Sequence, residues 1–385
     1  MPLLWRRFVI NFEISGIIIM KKIALIGSTG SIGKQVLDFV RKHSDKFKVI
    51  GLAAGSPSAE FERQTREFKP ELSAVAADDK EAALSVAEMA AADVVFNAAS
   101  GFAGLEYSLR AIRAGKTLAL ANKETLVCGG EPVMRIAADK GVEIIPVDSE
   151  HSAIWQCLHY DKKAPFKRLI ITASGGAFRD FTPEQLKGVT PEQALNHPTW
   201  KMGEKITVDS ATLVNKAYEV IEAHVLFGAP YAKIETVIQP QSVIHSLVEF
   251  KDGALLAQLS SPSMEIPVSL ALTYPQRLPS AVKPLDFKTA FSLDFKPIKR
   301  KDYPLYDLAM QCAKDGGTMP CALNAADEVA VKAFLDGKIA FTDIYTAVES
   351  VLSTTVRDEV VSFRQLEEVD GTARRKAQKI IYRLQ

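Results

Sequence analysis

Three stretches of the chain bring acid, amide and ammonium groups to spacings that suit one small ligand. Asp148-Ser149-Glu150-His151 carries carboxylates at i and i+2, which point the same way on an extended segment. Such a pair repels itself, and either a divalent cation between the two or use as an acid/base pair relieves the repulsion. Plain helix capping uses the same Asp-Ser-Glu chemistry. In the run from Ser210 to Glu219, a helix would align Asn215 with Glu219 at i,i+4, set Lys216 at the edge of that face and continue it at Glu222. The ordinary alternative is a solvated face opposite the apolar stripe of Leu213, Ala217, Val220, Ile221 and Val225. Asn122-Lys123-Glu124 follows a short apolar run, and ligands of open parallel sheets sit beyond the carboxyl ends of strands; a charged, solvated loop reads the same way.

Other stretches suit phosphate. Gly27-Ser28-Thr29-Gly30-Ser31-Ile32-Gly33 lies between an apolar run (residues 22–26) and an amphipathic stretch reaching Val40. A strand, a G-x-x-G-x-x-G loop and a helix are the context of a dinucleotide site, where glycines admit the pyrophosphate and helix N–H groups face its charge. The next apolar run, 48–54, ends in Gly55-Ser56-Pro57 with no Asp or Glu to hold a ribose 2′-hydroxyl, which favours NADP over NAD. Ser174-Gly175-Gly176 offers hydroxyl and N–H groups to phosphate oxygens. His197-Pro198-Thr199-Trp200-Lys201-Met202-Gly203 lies in a stretch of weak periodicity (176–207), the kind of long loop that closes over ligands.

The elements that must position these groups read as α/β. Strands are expected at 22–26, 48–54, 72–76, 93–98, 117–121 and 142–146, with helical stretches between most of them, hence a parallel sheet in a domain from 20 to 148. Strands at 169–173, 235–238, 242–250 and 254–259 and one helix from Val208 to Phe227 make a central α+β domain, 149–273. A proline-rich linker, 274–304, then leads to a small helical domain, 305–385. Residues 1–19 are apolar but interrupted by Asn11 and Glu13, without a cleavage site; they are read as an extension, not a signal peptide or a membrane span.

Forty-seven Lys and Arg against 46 Asp and Glu leave a formal charge of +1, which excludes an electrostatic nucleic-acid binder. Four cysteines without C-x-x-C spacing point to a reducing compartment, and a cytoplasmic protein is expected.

Together the motifs are far more specific than any one of them. The glycine loop, Ala-Asn-Lys-Glu (121–124), Pro-Val-Asp-Ser-Glu-His (146–151), Thr-Ala-Ser-Gly-Gly (172–176), His-Pro-x-Trp-x-Met-Gly (197–203), Asp-Ser-Ala-Thr-x-x-Asn-Lys (209–216) and Asn-Ala-Ala-Asp-Glu (324–328) occur in this order. From residue 20 onward the chain resembles the 1-deoxy-D-xylulose-5-phosphate reductoisomerases of the non-mevalonate isoprenoid pathway. The resemblance implies a Rossmann-like first domain that binds NADPH, a catalytic and dimerisation domain with a lid at 174–204, and a C-terminal α-domain.

The resemblance also implies roles. Asp148, Glu150 and Glu219 would bind Mg²⁺ or Mn²⁺ and, with Lys123, serve catalysis. Lys123 and Ser149 would hold the carbonyl and hydroxyl end of a phosphorylated ketose, with Glu150 and Glu219 beside it. Ser174, Ser210, Asn215 and Lys216 would form its phosphate pocket, with His197 and Trp200 in the lid and Met202 and Met264 nearby. Thr29, Gly30, Ser31, Ile32, Gly55, Ser56, Asn122, Glu124 and Gly203 would contact NADPH. The expected reaction is a retro-aldol/aldol rearrangement followed by hydride transfer, giving 2-C-methyl-D-erythritol 4-phosphate; the expected assembly is a homodimer without nucleic-acid or membrane partners. The chain departs from the family's usual basic and amide pair after the second strand, leaving Ser56, Ser58 or Arg63 to meet the 2′-phosphate.

Overall fold

In the computed structural model, which describes residues 20–159 and 165–385, strands and helices alternate from the start. The order is β1 (Lys21–Ile26), α1 (Ser31–Lys42), β2 (Phe47–Ala54), α2 (Ala59–Phe68), β3 (Leu72–Val75), α3 (Lys80–Val86), β4 (Val94–Asn97), α4 (Gly104–Arg113), β5 (Thr117–Leu120), α5 (Glu124–Lys140) and β6 (Ile144–Pro146). All six expected strands form, and the expected extension at 1–19 lies outside the described residues. The strands pair in parallel in the order β3-β2-β1-β4-β5-β6. Such a sheet reverses direction between β1 and β4, and the crevice at that switch point receives the ligand.

Alternate side chains of β1 go to opposite faces. Ile23 and Leu25 pack with Val36, Leu37 and Phe39 of α1, while Ala24 and Ile26 pack with Ile50, Val95, Leu105 and Ile112. Each large side chain so buried contributes on the order of 2 kcal/mol, and Leu25→Asp would undo the platform that aims the glycine loop.

The second region begins with α6 (Ser149–His159) and β7 (Phe166–Ala173). Next come α7 (Pro183–Leu186), α8 (Pro191–Leu195), α9 (Glu204–Thr212) and α10 (Val214–Phe227), followed by β8 (Ile234–Ile238), β9 (Ile244–Phe250), β10 (Leu255–Leu259), α11 (Glu265–Thr273) and β11 (Lys296–Pro297). The strands make one mixed sheet, β10-β9-β7-β8-β11, with β7 parallel to β8 and the other pairs antiparallel. The chain ends in α12 (Pro304–Asp315), α13 (Met319–Leu335), α14 (Asp343–Leu352) and α15 (Phe363–Leu384).

Several local expectations need correction. The helix expected from Val208 to Phe227 is two, because Leu213 adopts φ 61° and ψ 11° between α9 and α10. The stretch at 176–207 is not merely irregular. Thr182 and Thr190 each begin a Thr-Pro-Glu-Gln capping box that starts a short helix. Asp148 is not on an extended run with Glu150; it immediately precedes α6 and accepts the Ser152 N–H on its backbone carbonyl at 2.8 Å. The linker at 274–304 supplies β11 to the second sheet. Finally, Val268, Leu270, Ala271 and Leu272 of α11 join the core on the α1 side of the first sheet, so the two regions interlock.

Candidate active site

Asp148 and Glu150 flank the start of α6, just beyond the carboxyl end of β6, and Glu219 projects from α10. Their carboxylate oxygens lie within 4.8 Å of one another. Two lysines balance them. Lys123, between β5 and α5, bonds to Asp148 and stands 3.6 Å from Glu219. Lys216 reaches Glu150 at 2.8 Å and also bonds to Glu219. Asn215 Nδ2 donates to Glu219 Oε1 at 2.6 Å, and Ser149 Oγ donates to Glu150 Oε2 at 2.6 Å.

The Leu213 break makes this gathering possible. On one straight helix, nine residues turn through about 900°, leaving Ser210 and Glu219 on opposite faces. With α10 starting afresh after Leu213, both line one cavity of about 530 Å³. Leu213 itself is buried, and a non-glycine residue in this conformation costs on the order of 1–3 kcal/mol.

Charge crowding shapes the protonation of the site. Burial and the Glu150 charge push Glu219 up to about 7, against Lys216 and Lys123. Behind it, burial pushes Glu222 up to about 8 despite His151 and Lys123. Burial acts in the same upward sense on Asp148, but Lys123 and His151 prevail and hold it well below the usual carboxylate range. Lys216 likewise outweighs burial at Glu150 and lowers it. His151 is fully buried; its Nε2 meets the Glu219 carbonyl at 2.8 Å, and its Nδ1 lies 3.3 Å from Asp148.

On the cofactor side, Gly30, Ser31 and Ile32 line the same cavity with Ala98, Ala99 and Ser100 after β4. The glycines are required where they stand. A Cβ on Gly33 would meet the Gly27 carbonyl oxygen at 2.2 Å, and Gly27 has φ 76°. Glu124 lines the wall, accepts the Gly101 N–H at 3.0 Å and is raised by burial and Glu328.

At the other end, Ser174 and Ser210 face each other with Oγ atoms 3.3 Å apart. His197 Nδ1 takes the backbone N–H groups of Thr199 and Trp200 at 3.1 and 2.9 Å, so its proton sits on Nε2 and is donated to Ser174 Oγ at 2.9 Å. Burial, with Arg179 nearby, lowers His197 to about 4, which keeps this neutral tautomer. Trp200 stands edge-on to His245, with centroids 6.1 Å apart.

Of the expected site residues, Lys123, Glu124, Asp148, Ser149, Glu150, Ser174, Trp200, Gly203, Ser210, Asn215, Lys216 and Glu219 line the cavity with Gly30, Ser31 and Ile32; Met202 and Met264 join them. Thr29, Gly55, Ser56, Asn122 and His197 are not part of its lining. Asn122 is buried and donates to the carbonyls of Ala99 and Gly101 at 3.1 Å, bracing the loop under Glu124. Gly55 and Ser56 are exposed at the end of β2. Ser58 caps α2, and Arg63 is paired with Glu60 at 2.8 Å. Reasoning from the sequence missed Lys205, Asp209, Ser242 and His245, which also line the cavity. The Asp209–Ser210 motif was visible, whereas nothing in the sequence around Ser242, in the loop before β9, or His245, on β9, sets them apart from other polar residues.

Comparison with known proteins gives the family of the chain. The 1-deoxy-D-xylulose 5-phosphate reductoisomerase profile matches residues 23–85 and 76–130, and its C-terminal domain profile matches 144–227. A further profile, described as DXP reductoisomerase C-terminal domain, matches 259–376. A curated 1-deoxy-D-xylulose 5-phosphate reductoisomerase of Thermodesulfovibrio yellowstonii is 45% identical over 379 residues, spanning 94% of this chain and 100% of its own. One from Geobacillus kaustophilus is 47% identical over 92% of this chain and 98% of its own. Among solved structures, DOX-P reductoisomerase in complex with NADPH, fosmidomycin and magnesium superposes with a TM-score of 0.87 at 36% identity, covering 94% of this chain and 98% of that one. The Zymomonas mobilis enzyme in complex with NADPH gives a TM-score of 0.85 at 38% identity, covering 94% and 99%.

Proposed function

The chain belongs to the 1-deoxy-D-xylulose 5-phosphate reductoisomerase family, and on that footing we propose how its own residues carry the reaction. The protein rearranges and reduces 1-deoxy-D-xylulose 5-phosphate to 2-C-methyl-D-erythritol 4-phosphate, with NADPH and a divalent metal, in isoprenoid synthesis. The observation that carries the reading is the convergence of Asp148, Glu150 and Glu219 in the cavity that also holds the glycine loop.

The donor set fits a hard cation. It is all oxygen, three carboxylates crowded on the cavity wall, and burial together with the Glu150 charge raises Glu219 despite both lysines. Asp148, Glu150 and Glu219 would hold Mg²⁺ or Mn²⁺, which supplies Lewis-acid stabilisation to charge developing on ketose oxygens. The Gly30–Ile32 loop, Glu124 and Gly203 would hold NADPH, the hydride source; Thr29, Gly55, Ser56 and Asn122 would support that end.

The remaining work is done by side chains. Lys123 and Ser149 bind and orient the carbonyl and hydroxyl end of the substrate. Lys123 and Lys216 now neutralise the carboxylates; with a cation held there instead, both ammonium groups would be available to substrate oxygens. Ser174, Ser210, Asn215 and Lys216 grip the phosphate, and His197 keeps the Ser174 hydroxyl proton free to be donated, since Ser174 Oγ already accepts from the imidazole. Remote phosphate binding retains the fragments while the carbon skeleton rearranges. The segment 174–204, with Trp200, excludes water as a lid.

The assay is loss of NADPH absorbance on adding the ketose phosphate, with and without divalent metal. No oxidation in the presence of Mn²⁺ would refute the reading.

Among the described residues, no helix is long and apolar enough to cross a membrane. The protein works as a homodimer across the β10 edge of the second sheet, where Leu255 and Leu259 are exposed. Sedimentation that returns a monomer would overturn that arrangement. Four buried free cysteines and the use of NADPH suit the cytoplasm.

A further inference from the structure

The Asn324-Ala325-Ala326-Asp327-Glu328 motif has no place in the chemistry above, yet its charges are buried against the cavity wall. Asp327 of α13 is fully buried, and its Oδ2 lies 2.7 Å from the Nζ of Lys205. The same ammonium lies 2.6 Å from Asp209 of its own helix, α9, and 5.1 Å from the centre of the Tyr218 ring on α10. Lys205 stands two residues after Gly203 on the cavity wall, where the lid ends. One side chain thus ties three helices together.

We propose that Lys205 is a positioning residue through which the C-terminal helical domain holds the downstream end of the lid, and with it Ser210, in register with the cavity. The proposal rests on reading 174–204 as a lid.

Three observations support it. First, Gly203 gives α9 no N-terminal side-chain cap, and the local tie there is the Thr207 hydroxyl on the Gly203 carbonyl at 2.8 Å, within the same helix; the ion pair with Asp327 is what anchors this end of α9 to another helix. Second, buried ion pairs are poor sources of stability, because apolar residues of similar volume serve as well. What an ammonium held between two carboxylates provides is a fixed distance and direction. Asp209 is pushed well above the usual range by burial and the Asp327 charge, which lets the trio hold one proton more and stay balanced. Third, α13 is itself braced against the cofactor side. Glu328 is held by Arg374 at 2.5 Å and Asn324 at 2.9 Å, and it lies against Gly101, where a Cβ would come within 3.3 Å of its carboxylate. The helix that holds Lys205 therefore also abuts the loop beneath Glu124.

The test uses the full-length enzyme. Lys205→Met alone would strand a buried carboxylate, so the main variant is Lys205→Met with Asp327→Asn, and Lys205→Arg is the rescue. Three quantities are read: KM and kcat for the ketose phosphate; NADPH affinity by fluorescence; and tryptic cleavage at Lys187 and Lys201 with and without NADP⁺, Mn²⁺ and the ketose phosphate, a mixture that cannot turn over. The double variant should raise KM about tenfold, keep its NADPH affinity, and lose the ligand-dependent protection of the lid. Lys205→Arg should restore both. A double variant with wild-type KM and wild-type protection overturns the proposal. If the wild-type lid shows no ligand-dependent protection, the lid reading fails instead, and KM decides: an unchanged KM overturns the role of Lys205, and a raised KM sustains it. Should the double variant not fold, Asp327→Asn alone, nearly isosteric, is expected to raise KM severalfold and weaken protection; wild-type values for both would refute the proposal.

Discussion

The cluster around Glu219 and the cluster around Lys205 use the same residue types to opposite ends. In the first, three carboxylates approach one another within 4.8 Å and face an open cavity. In the second, Asp209 and Asp327 come from different helices onto one ammonium, and among the described residues they form no metal-ligand set. Acid concentrated on a cavity calls for a cation from solution; acid paired across helices joins domains. Spacing, not composition, separates a cluster that suits a cation from one that ties helices together.

The largest expected effect falls on the first cluster. Glu150→Gln or Asp148→Asn should cut turnover by roughly 10²–10⁴-fold while NADPH fluorescence titration stays unchanged, and EDTA should mimic the loss reversibly. Near-normal turnover would make the two clusters alike, both structural.

Gly33→Ala attacks the glycine loop, outside both clusters but on the cavity they line. The added methyl meets the Gly27 carbonyl at 2.2 Å. It should therefore weaken NADPH binding at least tenfold and lower stability by about 1–3 kcal/mol, read by titration and denaturant unfolding. Lys216→Ala should raise KM by roughly ten- to a hundredfold, as for loss of a charge-assisted bond; an unchanged KM would move the phosphate pocket elsewhere.

The smallest effect tests a group outside both clusters. His197 is lowered to about 4 from an unfolded value near 6.5. Between these values the unfolded chain binds more protons, so stability rises with pH; this part is complete above about 6.5 and is lost as the pH falls toward 4. The melting temperature of His197→Gln should be flatter than wild type across that window. Parallel curves would show that the imidazole is not held neutral.

Much of this was legible in the residues themselves. Short apolar runs became the six parallel strands, and the glycine loop stands between β1 and α1 as its spacing requires. Asn215 and Glu219 do share a face, because both fall on α10. The Thr-Pro-Glu-Gln capping boxes are readable too, and each starts a short helix within a stretch whose weak periodicity reads as loop. The break at Leu213 was not readable: no glycine or proline marks it, and only burial in the surrounding core holds a leucine in that conformation.

The amino-acid order alone determined most of the strands and helices, and which segments carry acid, amide or hydroxyl, since those properties depend on neighbours a few residues apart. Only the packed molecule decided that Glu219 meets Asp148 and Glu150, and that Asp327 meets Lys205. Those partners are separated by 69 to 122 positions. Their distances depend on how whole helices and sheets bury their apolar faces, a sum over the entire core that no local pattern records.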